Sequence, residues 1–510
     1  MQQSERFDAA VIGGGPAGTS AAIILAKADK RVVLFERSPF PRFHIGESLL
    51  PAGWEIWRRL GVTAKIEAEG FTVKQGINFG MFNQKPDVVL LTAEYPDYFE
   101  RPYTYHVERA RFDEILLEHA EECGVEVHRE WSVADVLFDG EQALGVSAGP
   151  NGAAAIPIYA TVVIDASGRE SLIARKLGWR RPLPELNKIS HFAHFKGAFR
   201  RNPHDIVTCG EVIDGSVTTD IHTIDGGWVW YIPLRNDITS VGIVLDTRYA
   251  RRLSESPQAC FDAAIGNCVC VSDWLREAEQ TMDIKTISTI GYLNKCFHGD
   301  GFVLVGDASM FVDPVFSAGV TLAMRGGVYA ADAILDGFAN GGDLSAARLR
   351  QYEERIREPM ECIFKMIYNW YRILERKDAN NIILRSRQIP MLRERFIVLL
   401  SGGYDKVSIE QILAAADEPT RRRRIPAANI SENVMQPSTI AVPRSGCLTI
   451  STAATVSTIS NGRTTACHWS SRVARRASRS AANTTIASFM ISDGCTWIGP
   501  RPIQRLEPPA

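Results

Sequence analysis

The stretch FDAAVIGGGPAGTSAAIILAKADKRVVLFE, Phe7 to Glu36, carries a complete strand-turn-helix-strand unit. AAVIG is a short apolar run of the kind buried in a parallel sheet, TSAAIILAKA reads as a helix, and RVVLFE is the second strand. Between strand and helix stands Gly13-Gly14-Gly15-Pro16-Ala17-Gly18. Glycines at 13, 15 and 18 permit a tight turn, a close approach of backbone N–H groups to a pyrophosphate, and close packing of helix on strand. Gly14 and Ala17 complete that turn, and the phosphates face the positive end of the helix. Glu36 ends the second strand about 20 residues on, where a carboxylate accepts ribose hydroxyls. The glycine pattern alone would be weak. With strand, helix and acid in order, it predicts a dinucleotide-binding α/β domain.

Two later stretches narrow the dinucleotide. In VGDASMFVDPVFSAGV (305–320) a buried strand ends in Gly-Asp, and Asp-Pro leads into a helix start. Asp307 is placed to bond a polyol such as a ribityl chain, and the free N–H groups around Ala318, Gly319 and Val320 can receive an anionic flavin edge or an ion. TVVIDASGRESLIARKLGW (161–179) repeats strand-turn-helix with Asp165 at the turn. These stretches resemble the late motifs of FAD proteins built like glutathione reductase and the aromatic hydroxylases. That resemblance implies FAD on a Rossmann-type domain. Only one strand-linked G-x-G-x-x-G occurs, so no second domain for NAD(P)H is evident, and a separate NAD(P)H-dependent flavin reductase is the expected partner.

The rest of the chain fits around that domain. Its 510 residues are 45% hydrophobic and 23% charged with a formal charge of −2, ordinary globular composition without a nucleic-acid signature. The first strand starts near Met1, leaving no room for a signal peptide, and no run of about 18 apolar residues offers a membrane span. Ten scattered cysteines show no zinc spacing, so reduced thiols, no metal and a cytoplasmic location are expected. The pattern predicts an FAD-binding domain over 1–184, with substrate-side segments interleaved near 75–105. A sheet-based substrate domain over 185–280, a second FAD part over 281–344 and a helical region over 345–430 follow. Beyond 431 the chain turns Ser/Thr- and Arg-rich with almost no acids and no hydrophobic period, which reads as disorder rather than a basic, phosphorylatable tail.

WVWYIP (228–233) raises a separate question, because alternation points Trp228 and Trp230 to one face of a strand. They are core packing, or they wall something off. The hexapeptide resembles the W-x-W-x-I-P signature of FADH2-dependent halogenases. FHIGESLLP (43–51), EGFTVKQG (69–76), VERARFD (107–113) and DPVFSAGV (313–320) look like the phenolic and aliphatic branch of that family. The resemblance runs from about residue 5 to about 415.

It implies a mechanism. Reduced FAD and O2 oxidise chloride or bromide to hypohalous acid, which travels through the protein to a lysine beside a phenolic, pyrrolic or carrier-tethered substrate. On the matching positions Lys74 is that lysine, Glu47 and Arg109 lie by the flavin, and the backbone N–H groups of Ala318 and Gly319 bind halide. Trp228 and Trp230 then keep organic substrate away from the flavin. One position departs: tryptophan halogenases carry a glutamate where Phe316 stands, which argues against free tryptophan. An FAD-dependent hydroxylase or isoprenoid-type reductase on the same scaffold is the alternative.

Overall fold

A computed structural model describes residues 6–82, 88–201, 216–311, 313–377, 381–407, 412, 456–460 and 463–467. The unit Met1–Arg422 is built on two sheets. In the first, the strand Phe7–Ile12 lies at the centre, parallel to Val32–Glu36 on one side and to Ile156–Asp165 on the other. Phe302–Leu304 and Glu126–Arg129 extend it in parallel at the two flanks. At the centre, Ala9–Ile12 and Val32–Phe35 are unbroken apolar runs, buried as parallel strands covered on both faces are. Pro16–Ala26 follows the glycine turn, and Gly319–Ala339 packs across it. The approach of those two helices depends on Gly327, where a Cβ would stand 2.2 Å from Ala17 O. At the turn itself a Cβ on Gly18 would lie 2.0 Å from Gly13 O, and Gly13 has a φ of +105°, open to glycine at little cost.

The second sheet is mostly antiparallel. Its order runs Lys285–Asn294, Arg180–Lys196, Ile238–Asp246, Gly227–Pro233 and Val217–Ile224. Thr72–Gly80 then joins in parallel to Val217–Ile224, bringing Val88–Leu91 and Thr104–His106 with it. The sheet therefore takes strands from three separated stretches, and Lys285–Asn294 belongs to it rather than to the first sheet. Gly242 is needed here: Trp230 lies over it, with Cζ2 2.2 Å from where a Cβ would be. The long helix Ala346–Arg376 and the shorter Pro390–Leu400 close one apolar layer with this sheet, sharing Phe79, Trp228, Trp230, Phe316, Trp370 and Phe396. No helix among the described residues is long and apolar enough to cross a membrane.

Glu353 pins the long helix to the edge of the first sheet. Its Oε2 accepts from Phe297 N at 2.9 Å, stands 2.8 Å from His298 Nδ1 and receives the Cys296 thiol at 3.3 Å, while Arg357 holds Oε1. These metal-ligating atoms of Cys296, His298 and Glu353 are within reach of one another, and here they are spent on each other. Burial opposes charge on His298, but Cys296 and Glu353 outweigh it and raise the imidazole to about 9. Burial likewise works against the Glu353 carboxylate, and His298, Phe297 N–H and Arg357 bring it down to about 2. A raised histidine stabilises fully below its ordinary value of 6.5, and that contribution fades as pH climbs through about 9. Urea midpoints of the wild type and His298→Gln should therefore differ most at pH 6 and converge by pH 9.5. A gap unchanged across that span would mean that the ring packs there uncharged.

Within Arg423–Ala510, Val456–Ser460 and Arg463–Cys467 pair antiparallel. The expectation of a structureless tail is corrected over these two strands. VSTIS and RTTAC are rich in β-branched residues, and the intervening Asn-Gly is a hairpin signal that the composition obscured. The remainder of 431–510, with the disorder expected for it, lies outside the described residues.

Candidate active site

At the glycine turn, Gly14 N donates to Glu36 Oε2 at 2.9 Å, and Ser38 N holds the other oxygen at 2.7 Å. Glu36 thus ends its strand with a buried carboxylate fixed against the loop. Gly15 caps the helix, with no side chain bonding its first N–H groups. A Cβ there would have Arg42 Nη2, 3.6 Å away, as its nearest neighbour, so a phosphate can reach this N-terminus. Gly306, in the late Gly-Asp turn, sits against Ala17: a Cβ on it would fall 2.9 Å from the Ala17 Cβ. Asp307 follows. Burial pushes its carboxyl up to about 6, with Arg169 and then Arg109 pulling against it.

Arg109 opens the helix Arg109–Glu122 and grips Asp113 through Nε at 2.8 Å and Nη2 at 2.9 Å. Its Nη1 bonds Ile45 O at 2.7 Å, and Arg42 adds a second cation to Asp113 at 3.1 Å. Burial would raise Asp113, yet Arg109 and then Arg42 hold it below the usual carboxylate range. The arginine therefore fixes the 42–46 segment. Gly46, at φ +103°, lies between it and Val320: a Cβ there would be 2.8 Å from Arg109 Nη1 and 3.5 Å from Val320 Cγ2. Glu47 is buried with Oε1 2.7 Å from His194 Nε2, and its Oε2 has no protein partner.

The helix Gly319–Ala339 begins after Ala318 with no side-chain cap. A Cβ on Gly319 would meet no atom within 4 Å. Ser317 turns the chain into this helix with a left-handed φ of +56°, and its hydroxyl bonds Ser48 Oγ at 3.2 Å. Ser48 in turn accepts from Lys74 Nζ at 2.8 Å, and Leu49 O takes a second Lys74 bond at 2.9 Å. Lys74 is 4% exposed and faces no carboxylate among the described residues; burial brings its ammonium down to about 7. A buried lysine with two acceptors and no counter-charge is held close to a free amine.

Trp228 and Trp230 are both buried, 6.0 Å apart between ring centroids. Trp228 Nε1 donates to Tyr371 OH at 3.3 Å, and Tyr371 donates to Asp313 at the start of DPVFSAGV. Trp230 Nε1 bonds Ser240 Oγ at 3.2 Å. Phe316 sits edge-on to Trp370 at 6.1 Å. Trp228 is thus tied, through Tyr371, to the segment that leads into the helix start at Gly319.

A family profile described as tryptophan halogenase matches residues 8–92 and 91–399. The chain belongs to the flavin-dependent halogenases. This halogenase is 32% identical over 411 residues to a 1H-pyrrole-2-carbonyl peptidyl-carrier-protein chlorinase of Pseudomonas fluorescens, covering 78% of its own length and 89% of the relative. It is 33% identical over 357 residues to a tryptophan 2-halogenase of Chondromyces crocatus, covering 68% of its length and 64% of the relative. A solved flavin-dependent brominase superposes with a TM-score of 0.69 at 28% identity, over 81% of this chain and 98% of that one. The halogenase is accordingly an FAD-dependent enzyme with a Rossmann-type FAD domain.

Its residues fit the cofactor. The uncapped turn at Gly15 offers backbone N–H groups with room beside them, one Glu47 oxygen has no partner among the described residues, and Glu36 is a carboxylate fixed at the end of the second strand. Motif reading singled out Lys74 and both tryptophans but did not give what holds them. Ser48 stood inside FHIGESLLP next to Glu47, and Asp313 opened DPVFSAGV three residues before Phe316. Thr219, His106 and Tyr371 gave no local signal, since their partners lie more than 50 residues away in sequence.

Proposed function

We propose that this halogenase uses Lys74 to receive hypohalous acid made at the flavin and to deliver the halogen to an electron-rich ring, a pyrrole or a phenol, free or tethered to a carrier protein. One observation carries the reading. Lys74, buried and without a carboxylate, is joined to the helix start at Gly319 through Ser48 and Ser317. Bound and reduced, FAD supplies the electrons with which O2 and halide become hypohalous acid. The chain's own residues do the rest. Gly13, Gly14, Gly15, Ala17, Gly18 and Glu36 hold the dinucleotide, while Asp307 and Val320 face its flavin half. Arg109 sets the 42–46 segment, with Glu47 beside it. Ala318 and Gly319 offer N–H groups to chloride or bromide. Trp228 and Trp230 form a wall that a halide-sized oxidant passes and an aromatic ring does not.

Phe316 supports the choice of ring. An apolar edge replaces a carboxylate next to the reaction zone, so no acid assists an indole, whereas pyrroles and phenols are activated by their own heteroatom. The pyrrole-carrier chlorinase relative points the same way. The tryptophan 2-halogenase relative makes free tryptophan the control substrate. A single glycine-rich turn serves one dinucleotide, so a separate NAD(P)H-dependent reductase supplies the reduced flavin. The thiols of Cys123, Cys260, Cys270 and Cys296, none of them in a disulfide, support a reducing, cytoplasmic setting.

The halide assignment has a direct test. Gly319→Asp places a carboxylate at the first helical position, where there is room and where acids favour helices. Thermal stability should hold, while the halide KM rises at least about tenfold, about 1.4 kcal/mol of lost anion binding. An unchanged halide KM would move the anion elsewhere.

A further inference from the structure

Lys74 heads a hydrogen-bonded chain whose direction one carbonyl fixes. His106 Nδ1 lies 2.9 Å from Pro233 O, and because a carbonyl only accepts, Nδ1 carries the ring proton. Nε2 is then an acceptor, and Thr219 Oγ1, 2.8 Å away, donates to it. With its proton spent, Thr219 accepts from Ser48 Oγ at 2.8 Å, and Ser48 accepts from Lys74 Nζ at 2.8 Å. All four side chains are buried. The donation to Leu49 O uses the second N–H of a neutral lysine and leaves its lone pair free. Every donor in the line points from Lys74 towards His106.

We propose that His106 takes a proton from Lys74 through Ser48 and Thr219 when Lys74 is halogenated, and returns it when the halogen leaves for substrate. The inference rests on the reading of Lys74 as the halogen carrier. In the forward step the Nζ lone pair forms an N–halogen bond as the oxygen–halogen bond of hypohalous acid breaks, and hydroxide departs with that bonding pair. The Nζ–H held by Ser48 ionises; its proton moves to Ser48, Ser48's to Thr219, and Thr219's to His106 Nε2. Lysine is left as a neutral N-haloamine and His106 as imidazolium. When the halogen passes to a ring carbon, the proton returns by the same path to the departing nitrogen. The proton lost by the ring neutralises the hydroxide, so the sum is hypohalous acid plus arene giving haloarene plus water.

The charges around His106 suit a proton held only briefly. Burial, and then any positive charge on Lys74, hold the imidazole well below its ordinary value, so it rests neutral and gives up quickly any proton it takes. Arg200, the other cation acting on it, is engaged with Leu234 O and Ile238 O. Among the described residues no carboxylate acts on the ring to trap the proton.

The test needs no identified substrate. Full-length enzyme is given chemically reduced FAD, O2 and bromide, passed rapidly through a desalting column, and titrated with iodide for oxidising halogen bound to protein. His106→Gln keeps an amide donor for Pro233 O and an acceptor for Thr219 but cannot hold the proton; Thr219→Val breaks the chain with little change of shape. Each should consume O2 at the wild-type rate while loading halogen about 100-fold more slowly. The double variant should be no slower than either single one, since both cut one path. Lys74→Met should load none. If Lys74→Met loads halogen normally, the carrier reading itself fails. If it loads none while Thr219→Val loads at the wild-type rate, the relay alone is wrong. Additive losses in the double variant would also overturn it, as would slowed O2 uptake.

Discussion

Lys74→Met is expected to abolish halogenation, leave the oxidation of reduced FAD by O2 intact, and make the fold more stable. The three effects have one cause. Loss of a group that positions the reactant costs two or more orders of magnitude, roughly 3 kcal/mol or more of barrier. The flavin turn at Gly15 lies in the other sheet and does not touch Lys74, so oxygen consumption should persist with the oxidant released as free hypohalous acid. The stability gain follows from burial, which lowers the lysine from 10.5 to about 7. Between those values the unfolded chain binds a proton that the folded one does not, so stability rises with pH across that range. The full cost of the buried charge falls at and below about pH 7, on the order of several kcal/mol. Methionine removes it, and its advantage should shrink as pH climbs towards 10.5. Denaturant midpoints at pH 6.5 and 9.5, with parallel O2 uptake and product yield, check all three. Lys74→Arg should not restore product, because a guanidinium stays protonated and offers no lone pair. A Lys74→Met variant less stable than wild type at pH 6.5 would make Lys74 a structural residue.

Gly15→Leu should yield folded protein without flavin. A Cβ there meets nothing nearer than Arg42 Nη2 at 3.6 Å, and Gly15 has an ordinary φ of −76°, so the fold can accept the side chain. The space it enters is the approach to the helix N-terminus, where pyrophosphate must come to bond the backbone. Affinity for FAD should fall more than about 100-fold, near 3 kcal/mol, with circular dichroism unchanged. Gly18→Ala provides the contrast. Its Cβ would stand 2.0 Å from Gly13 O, so it should lose the fold along with the cofactor. Gly15→Leu that purified with a full flavin complement would remove this turn from the cofactor site.

What could be read from the sequence was local. The unit from Phe7 to Glu36 announces itself because strand, turn, helix and acid follow one another and each has its own period. The parallel sheet around it is found as read, with Phe7–Ile12 between its neighbours. The second sheet was legible as strands but not as an arrangement. Thr72–Gly80 pairs with Val217–Ile224 across a long stretch of chain, and no periodicity records which strand accepts which. That one pairing sets Lys74 near Thr219, and through it Ser48 and His106, so the chain of hydroxyls could not be read in advance. Arg109 illustrates a different gap. Its motif marks it for the flavin, yet within the fold all of its bonds go to Asp113 and Ile45 O, an organising role four residues away that VERARFD already contained.

Whether this fold makes halogen–carbon bonds through Lys74 is decided by a product analysis. The enzyme would receive chemically reduced FAD, O2 and a panel of phenols, carrier-bound pyrrole-2-carbonyl and free tryptophan, with chloride, with bromide and with neither. Mass spectrometry should find chlorinated or brominated pyrrole or phenol only when the matching halide is present, and none with Lys74→Met. Hydroxylated product that forms equally without halide would make the enzyme a hydroxylase, and halogenated product that persists in Lys74→Met would remove Lys74 from the reaction.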